Sequence, residues 1–297
     1  MSSLAIDIEN LVHSYGSSDA VQGLSLKVSQ GQCYGFFGRN GAGKTTTIKC
    51  LLNLLRPTSG QVRVFDLDPQ RFETQVKTRV AYVPDYVNFY PWMSVREALD
   101  YQASFRKSWN HSTEIGLLDR FQLNPDQGTH GLSKGQRTQL ALIGAICADP
   151  DLLILDEPTS GLDPLVRREF IQTVIGAFQE AAPGQRTVFL STHLISEFEG
   201  LIDRFTIIDR GRELVTLDAD EARTKHRRIR ATFAQAAPSA DFFPNAKSVR
   251  CDGRTLDLVS IGDEDAMVAK INQFEPTGMS IESLTLEEIF LTTVTST

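Results

Sequence analysis

Along roughly the first 220 residues, short apolar runs alternate with longer segments of helical periodicity, and turn residues separate them. QCYGFF (32–37) is apolar and β-rich, KTTTIKCLLNLL (44–55) reads as a helix, and PTSG is a turn before the strand QVRVF. From Trp92 to Ala148 the pattern is mostly helical. LLIL (152–155) is a buried strand, TVFLSTH (187–193) is another, and FTIIDRGREL (205–214) reads as a hairpin over Arg210 and Gly211. This alternation predicts an α/β fold: a parallel-rich sheet flanked by helices, with ligands at the carboxyl ends of the strands.

After about residue 222 the pattern changes. SVRC and RTLDLVSI flank Asp252-Gly253, a strong hairpin signal. A helical run (DEDAMVAKINQF), a short strand (MSIES) and a last helix opened by Thr285 and Glu288 complete a small α+β unit. The expected domains are therefore 1–221 and 222–297, and a length of 297 residues accommodates both.

Composition narrows the function classes. Hydrophobic content of 41% with 23% charged residues fits a soluble globular protein. A formal charge of −7 argues against nucleic acid as a partner, and the basic run KHRR (225–228) reads as a solvated segment. MSSLAIDIE reaches Asp7 and Glu9 before any apolar run, so no leader is expected. Stretches such as LALIGAICA fall well short of the ~20 residues of a membrane span. A membrane role would need another chain. Cys33, Cys50, Cys147 and Cys251 are scattered and read as reduced thiols.

The chemistry begins at GRNGAGKT (38–45), a G-x-x-x-x-G-K-[ST] loop between a strand and a helix. Gly38, Arg39, Asn40, Gly41, Ala42 and Gly43 form a backbone cradle for phosphates, continued by Thr46. Lys44 is placed to reach the β and γ oxygens of a bound phosphate chain and Thr45 to offer a hydroxyl to Mg²⁺. DLLILDEP (151–158) puts Asp156 at the end of a buried strand, where it can hold Mg²⁺. Glu157 follows at the bend and is the candidate general base. In HGLSKGQRT (130–138), Ser133 and Gln136 form a capping box. A helix start also suits an anion.

With these motifs in order, residues 4–220 resemble an ATP-binding cassette (ABC) ATPase, the motor subunit of ABC transporters. LSKGQ resembles the family signature, DEPTSGLDP (156–164) its Walker B and D-loop with Asp163, and STH (191–193) its switch with His193. The resemblance implies an ABC-type P-loop fold with a helical subdomain at about 88–148. It gives Tyr15 the role of stacking on adenine and His193 that of contacting the γ-phosphate. Two such domains would pack head to tail, so that Ser133, Gly135 and Gln136 of one chain finish the site of the other. The partner is a second copy or a related ATPase subunit. Lys134 stands where the family often has glycine; a cation there opposes the helix dipole yet could favour a triphosphate. Asp85 stands where the family usually has glutamine and is read as a metal-shell residue with shortened reach.

Tyr82, Tyr86, Phe89, Tyr90 and Trp92 either fill a core or line a groove for a helix of a membrane subunit, as the family does there. The tail SLTLEEIFL is similar to that of bacterial ABC-2-type exporter ATPases. The expected function is a motor that drives separate transmembrane permease subunits. It would be cytoplasmic, held peripherally on the inner face of the membrane. The competing reading is an ATP-gated clamp on a membrane complex, with hydrolysis only as reset. A translation-type ABC protein would carry two cassettes. A DNA-repair type would place a long coiled coil between cradle and signature, whereas residues 46–132 show no sustained heptads.

Overall fold

The computed structural model describes residues 3–179 and 186–294. It divides into two compact units, Met1–Glu213 and Leu214–Thr297. In chain order the first contains β1 (Leu4–Tyr15), β2 (Ser18–Ser29), β3 (Cys33–Gly38), α1 (Lys44–Leu51), β4 (Ser59–Val64), α2 (Glu73–Arg79) and β5 (Val80–Val83). It continues with α3 (Val95–Ala103), α4 (His111–Arg120), α5 (Lys134–Cys147), β6 (Leu152–Asp156), α6 (Pro164–Gln179), β7 (Thr187–Thr192), β8 (Arg204–Asp209) and the start of β9 (Arg212–Asp218). The division falls inside β9, ahead of the change in pattern at residue 222.

Among the described residues the larger sheet has the order β5-β6-β7-β3-β8-β9, and β5 to β8 pair in parallel. Every residue of β3, β6 and β7 is buried, which is why their sequences are apolar runs rather than alternations. Ile48 and Leu51 of α1 pack into the same core as Phe36, Ile154 and Phe189. The helix ends at Leu51, short of the expected 55, because Asn53 turns left-handed at φ 54°.

β1 was not legible as a strand. It forms an antiparallel sheet β2-β1-β4, but its register shifts between Ile8 and Leu11 and again at Val12. Each shift breaks the period-two pattern that marks a strand in sequence. The helical stretch after Trp92 contains α3, α4 and α5. No helix among the described residues is long and apolar enough to cross a membrane.

The second unit contains α7 (Ala219–Lys225), β10 (His226–Thr232), β11 (Ser248–Asp252), β12 (Thr255–Ile261), α8 (Glu264–Asn272), β13 (Gly278–Ser283) and α9 (Leu286–Val294). Its antiparallel sheet has the order β11-β12-β10-β13, and Ile229, Leu256 and Leu258 pack against Met267 and Ile271 of α8. Thr285 and Glu288 make the reciprocal cap of α9. KHRR is not a solvated run. It closes α7 and opens β10, with Arg227 paired to Glu264 at 3.1 Å and Arg228 to Asp257 and Glu288. The acids paired to Arg227 and Arg228 lie 29 or more residues further along the chain, so no local pattern reveals those pairings, while Lys225 is exposed and pairs locally with Glu221.

Candidate nucleotide site

The cradle grows out of the end of β3, where the chain turns over residues 39–43 into α1. Gly43 has φ 104°, and a Cβ there would lie 2.5 Å from the Ala20 carbonyl, so the turn requires glycine. Lys44 opens α1 and is 5% exposed. Its ammonium donates to the Gly38 carbonyl at 2.7 Å and the Arg39 carbonyl at 3.2 Å, and pairs with Glu157 Oε1 at 2.8 Å. An ammonium has three protons to give, and all three have partners within the chain. Asn40, Gly41, Ala42, Gly43, Lys44, Thr45 and Thr46 line a cavity of about 330 Å³ with Asp85 and Glu157.

The carboxylates come from β6. Asp156 is fully buried; Oδ1 accepts from the Ser191 hydroxyl at 2.9 Å, while Oδ2 has no hydrogen-bond partner. Burial pushes its pKa above the ordinary aspartate value. The Thr45 and Ser191 hydroxyls oppose that rise, the neighbouring Glu157 adds to it, and Lys44 counters it. An unpaired oxygen on a buried carboxylate close to Thr45 fits a divalent cation. Among the described residues no group of three or more His, Cys, Asp or Glu could hold a metal. Mg²⁺ here would therefore depend on Thr45, Asp156 and the ligand's own phosphates, the sparse protein ligation that this ion accepts.

Glu157 has φ 48°, a left-handed turn that a β-branched or bulky residue rarely takes. Its N–H donates to the Ser191 carbonyl at 2.8 Å, which fixes the bend and turns the side chain toward the cradle. Oε2 meets His193 Nδ1 at 2.7 Å, with the Thr192 hydroxyl at 3.5 Å and the His193 N–H at 3.4 Å. Lys44, Glu157 and His193 thus form one chain of contacts across the ends of β3, β6 and β7. Ser191 and Thr192, which orient the two carboxylates, are site residues that the sequence did not single out. Asp156 and Ser191 are register partners, and parallel register leaves no local trace in sequence.

The remaining residues lie elsewhere. Tyr15 is 51% exposed at the end of β1, edge-on to His13 with ring centroids 4.7 Å apart, and does not line the cradle cavity. Ser133 Oγ accepts from the Gln136 N–H at 3.2 Å, and Gln136 Oε1 accepts from the Ser133 N–H at 3.0 Å. Asp163 Oδ1 caps α6 through the amides of Leu165 and Val166, both at 3.1 Å. None of Ser133, Gly135, Gln136 and Asp163 lines the cavity of its own chain.

A larger cavity of about 680 Å³ lies at the aromatic stretch, lined by Tyr86, Phe89, Tyr90, Met93, Tyr101 and Phe105 among others. Tyr86 and Trp92 are over 70% exposed, and Trp92 stacks on Tyr90 at 4.8 Å. Tyr86, Phe89 and Tyr90 thus line a surface groove with Trp92 stacked beside it, whereas Tyr82 both lines the groove and packs against the core.

Comparison with known proteins accords with this arrangement. The family model described as ABC transporter matches residues 21–160. A daunorubicin resistance ATP-binding protein of Streptomyces coeruleorubidus is 30% identical over 98% of this chain and 96% of its own. The chain belongs to the ABC transporter family. Its relatives are themselves named as ATP-binding proteins. The bacitracin transport ATP-binding protein BcrA of Bacillus licheniformis is 34% identical, over 76% of this chain and 74% of that protein. A solved ATP-binding subunit of an ABC transporter superposes with a TM-score of 0.66 at 25% identity, over 74% of this chain and 92% of its own. This fold includes the β2-β1-β4 sheet, of which the sequence pattern showed only β4.

Proposed function

We propose that this ABC subunit is a Mg²⁺-dependent ATP hydrolase whose two catalytic sites are each assembled from two chains. Tyr15 stacks on the base and residues 38–46 wrap the phosphates. Thr45 and Asp156 would hold Mg²⁺, with Asp85 assisting directly or through water, and the ion would supply charge neutralisation on the phosphate oxygens. Glu157 orients and deprotonates water, and His193 contacts the γ-phosphate. Ser133, Gly135, Gln136 and Asp163 complete the site of the neighbouring chain, a second copy or a relative. The carrying observation is a separation: Glu157 lies in the cradle between Lys44 and His193, while the signature residues are absent from that cavity.

Chemistry follows from the contacts. In the resting chain Glu157 is tied to Lys44 and His193. A triphosphate competes for the Lys44 ammonium and so releases one oxygen of Glu157 to act as base. His193 then carries the state of the γ-phosphate to Glu157 through its 2.7 Å contact. Closure of two chains performs work only to the extent that ATP prefers the closed pair. The aromatic groove receives a short helix from separate membrane subunits, which places the protein on the inner face of the membrane as an export motor.

Glu157→Gln tests the scheme. It keeps the shape and removes the base, so turnover falls by about 10²–10⁴ and ATP-bound dimers accumulate in size-exclusion chromatography. Undiminished turnover would refute the assignment. Export retained by that trapped variant would favour the clamp.

A further inference from the structure

Lys134 has a partner within its own chain. Its ammonium donates to the Ser160 carbonyl at 2.7 Å. The side chain passes over Gly161, whose φ is 69°; a Cβ there would lie 3.1 Å from Nζ, so glycine keeps the slot open. One residue on, a Cβ at Gly135 would meet Val166 Cγ1 at 3.2 Å, so the start of α5 sits close against α6. The start of α5 and the segment after Glu157 are therefore in contact at two adjacent points.

That segment is held from its other side as well. The Thr159 hydroxyl donates to Glu197 Oε2 at 2.7 Å, and Arg167 pairs with Glu197 Oε1 at 2.5 Å. Arg167 also donates to the Leu162 carbonyl at 3.1 Å. Glu197 lies on the turn that follows His193. Contacts thus run from His193's own segment through residues 159–163 to Lys134. A cation at a helix N-terminus is disfavoured by the dipole, and the Ser160 carbonyl supplies the negative partner that offsets it.

We propose that Lys134 is a positioning residue: it straps the signature turn to the loop behind Glu157 within one chain. The face offered to a partner's triphosphate then moves together with the chain's own catalytic loop. This rests on the composite-site reading above, but the strap exists in a single chain without nucleotide, and its test begins there.

The experiment compares full-length wild type, Lys134→Met and Lys134→Arg by hydrogen exchange in the nucleotide-free monomer, then by steady-state turnover. In Lys134→Met, amides of residues 161–167 should exchange about three- to tenfold faster, the effect of losing one hydrogen bond. Its kcat should fall by about the same factor with KM for ATP nearly unchanged, since the chain's own cradle is intact. Lys134→Arg, which can still donate to Ser160, should restore both. Unchanged exchange with a raised KM would mean that the lysine serves the partner's phosphate instead, and would overturn the strap. Faster exchange with unaltered kcat would reduce it to a stability contact and overturn the positioning role. Failure of the composite-site reading would show separately, as Glu157→Gln protein that stays monomeric when it holds ATP.

Discussion

At the cradle, Lys44 and Glu157 are more than nine-tenths buried and already paired with each other. At the start of α5, Ser133 and Lys134 stand exposed, the first capping its own helix and the second tied to a backbone carbonyl. A buried charge left unpaired is costly, so Lys44 and Glu157 hold one another, and in the proposed scheme phosphate replaces one of the two partners. The signature pays no such desolvation cost and needs only to hold its shape. On the proposed reading, one region is a latch that a ligand opens, and the other a preformed surface for a ligand held by the neighbouring chain.

The sharpest way to break this contrast is at Ser133. Its hydroxyl accepts one hydrogen bond in the cap and keeps its own proton to donate, so cap and phosphate contact are compatible. Ser133→Ala removes both. The lost cap costs about 1 kcal/mol of stability, whereas loss of a donor to developing charge costs about 10²–10³ in kcat. Ser133→Asn separates the two effects, because asparagine caps well but places its donor differently. It should melt like wild type and still turn over slowly; wild-type kcat in that variant would mean that the hydroxyl is only a cap.

The two regions also differ in how far the sequence revealed them. The cradle is contiguous: GRNGAGKT lies between a strand and a helix, and the local run specifies both the turn and its ligand. The capping box at Ser133 and Gln136 was readable for the same reason, since its partners are three residues apart. What the sequence did not show are links between distant segments: Ser191 to Asp156, Glu197 to Thr159 and Arg167, Lys134 to Ser160. Each depends on parallel strand register or on helix packing, which no window of neighbouring residues encodes. Lys134 appeared as a charge in an unfavourable place; its partner appears only once α5 and the loop before α6 are brought together.

A smaller effect, read in stability rather than rate, tests the latch. Asp156 has a raised pKa, mainly through burial. Between the ordinary aspartate value and that raised value, the folded chain binds more protons than the unfolded chain. This group's contribution to stability therefore falls as pH rises through the window. Asp156→Asn keeps an oxygen to accept from Ser191 and removes the buried charge. The nucleotide-free variant should melt higher than wild type at neutral pH, and the difference should shrink toward acid. A lower melting temperature at neutral pH would mean that the Thr45, Ser191 and Lys44 contacts outweigh burial.

Asp85 carries the smallest expected effect and marks the border between the two kinds of region. It lines the cradle cavity, yet its side chain is exposed, so its charge acts through solvent. Burial pushes the Tyr82 phenol's pKa up, and the charges of Asp156 and Asp85 add to that rise, so both carboxylates act on the same ring. An exposed charge interaction is worth about 0.2–1 kcal/mol, so Asp85→Ala should raise the Mg²⁺ needed for half-maximal turnover by about two- to fivefold. Asp85→Glu keeps the charge and lengthens the reach, and should restore or exceed wild-type Mg²⁺ affinity. If Mg²⁺ titrations of all three proteins coincide, Asp85 is no part of the metal shell, and the cradle binds its ion through Thr45 and Asp156 alone.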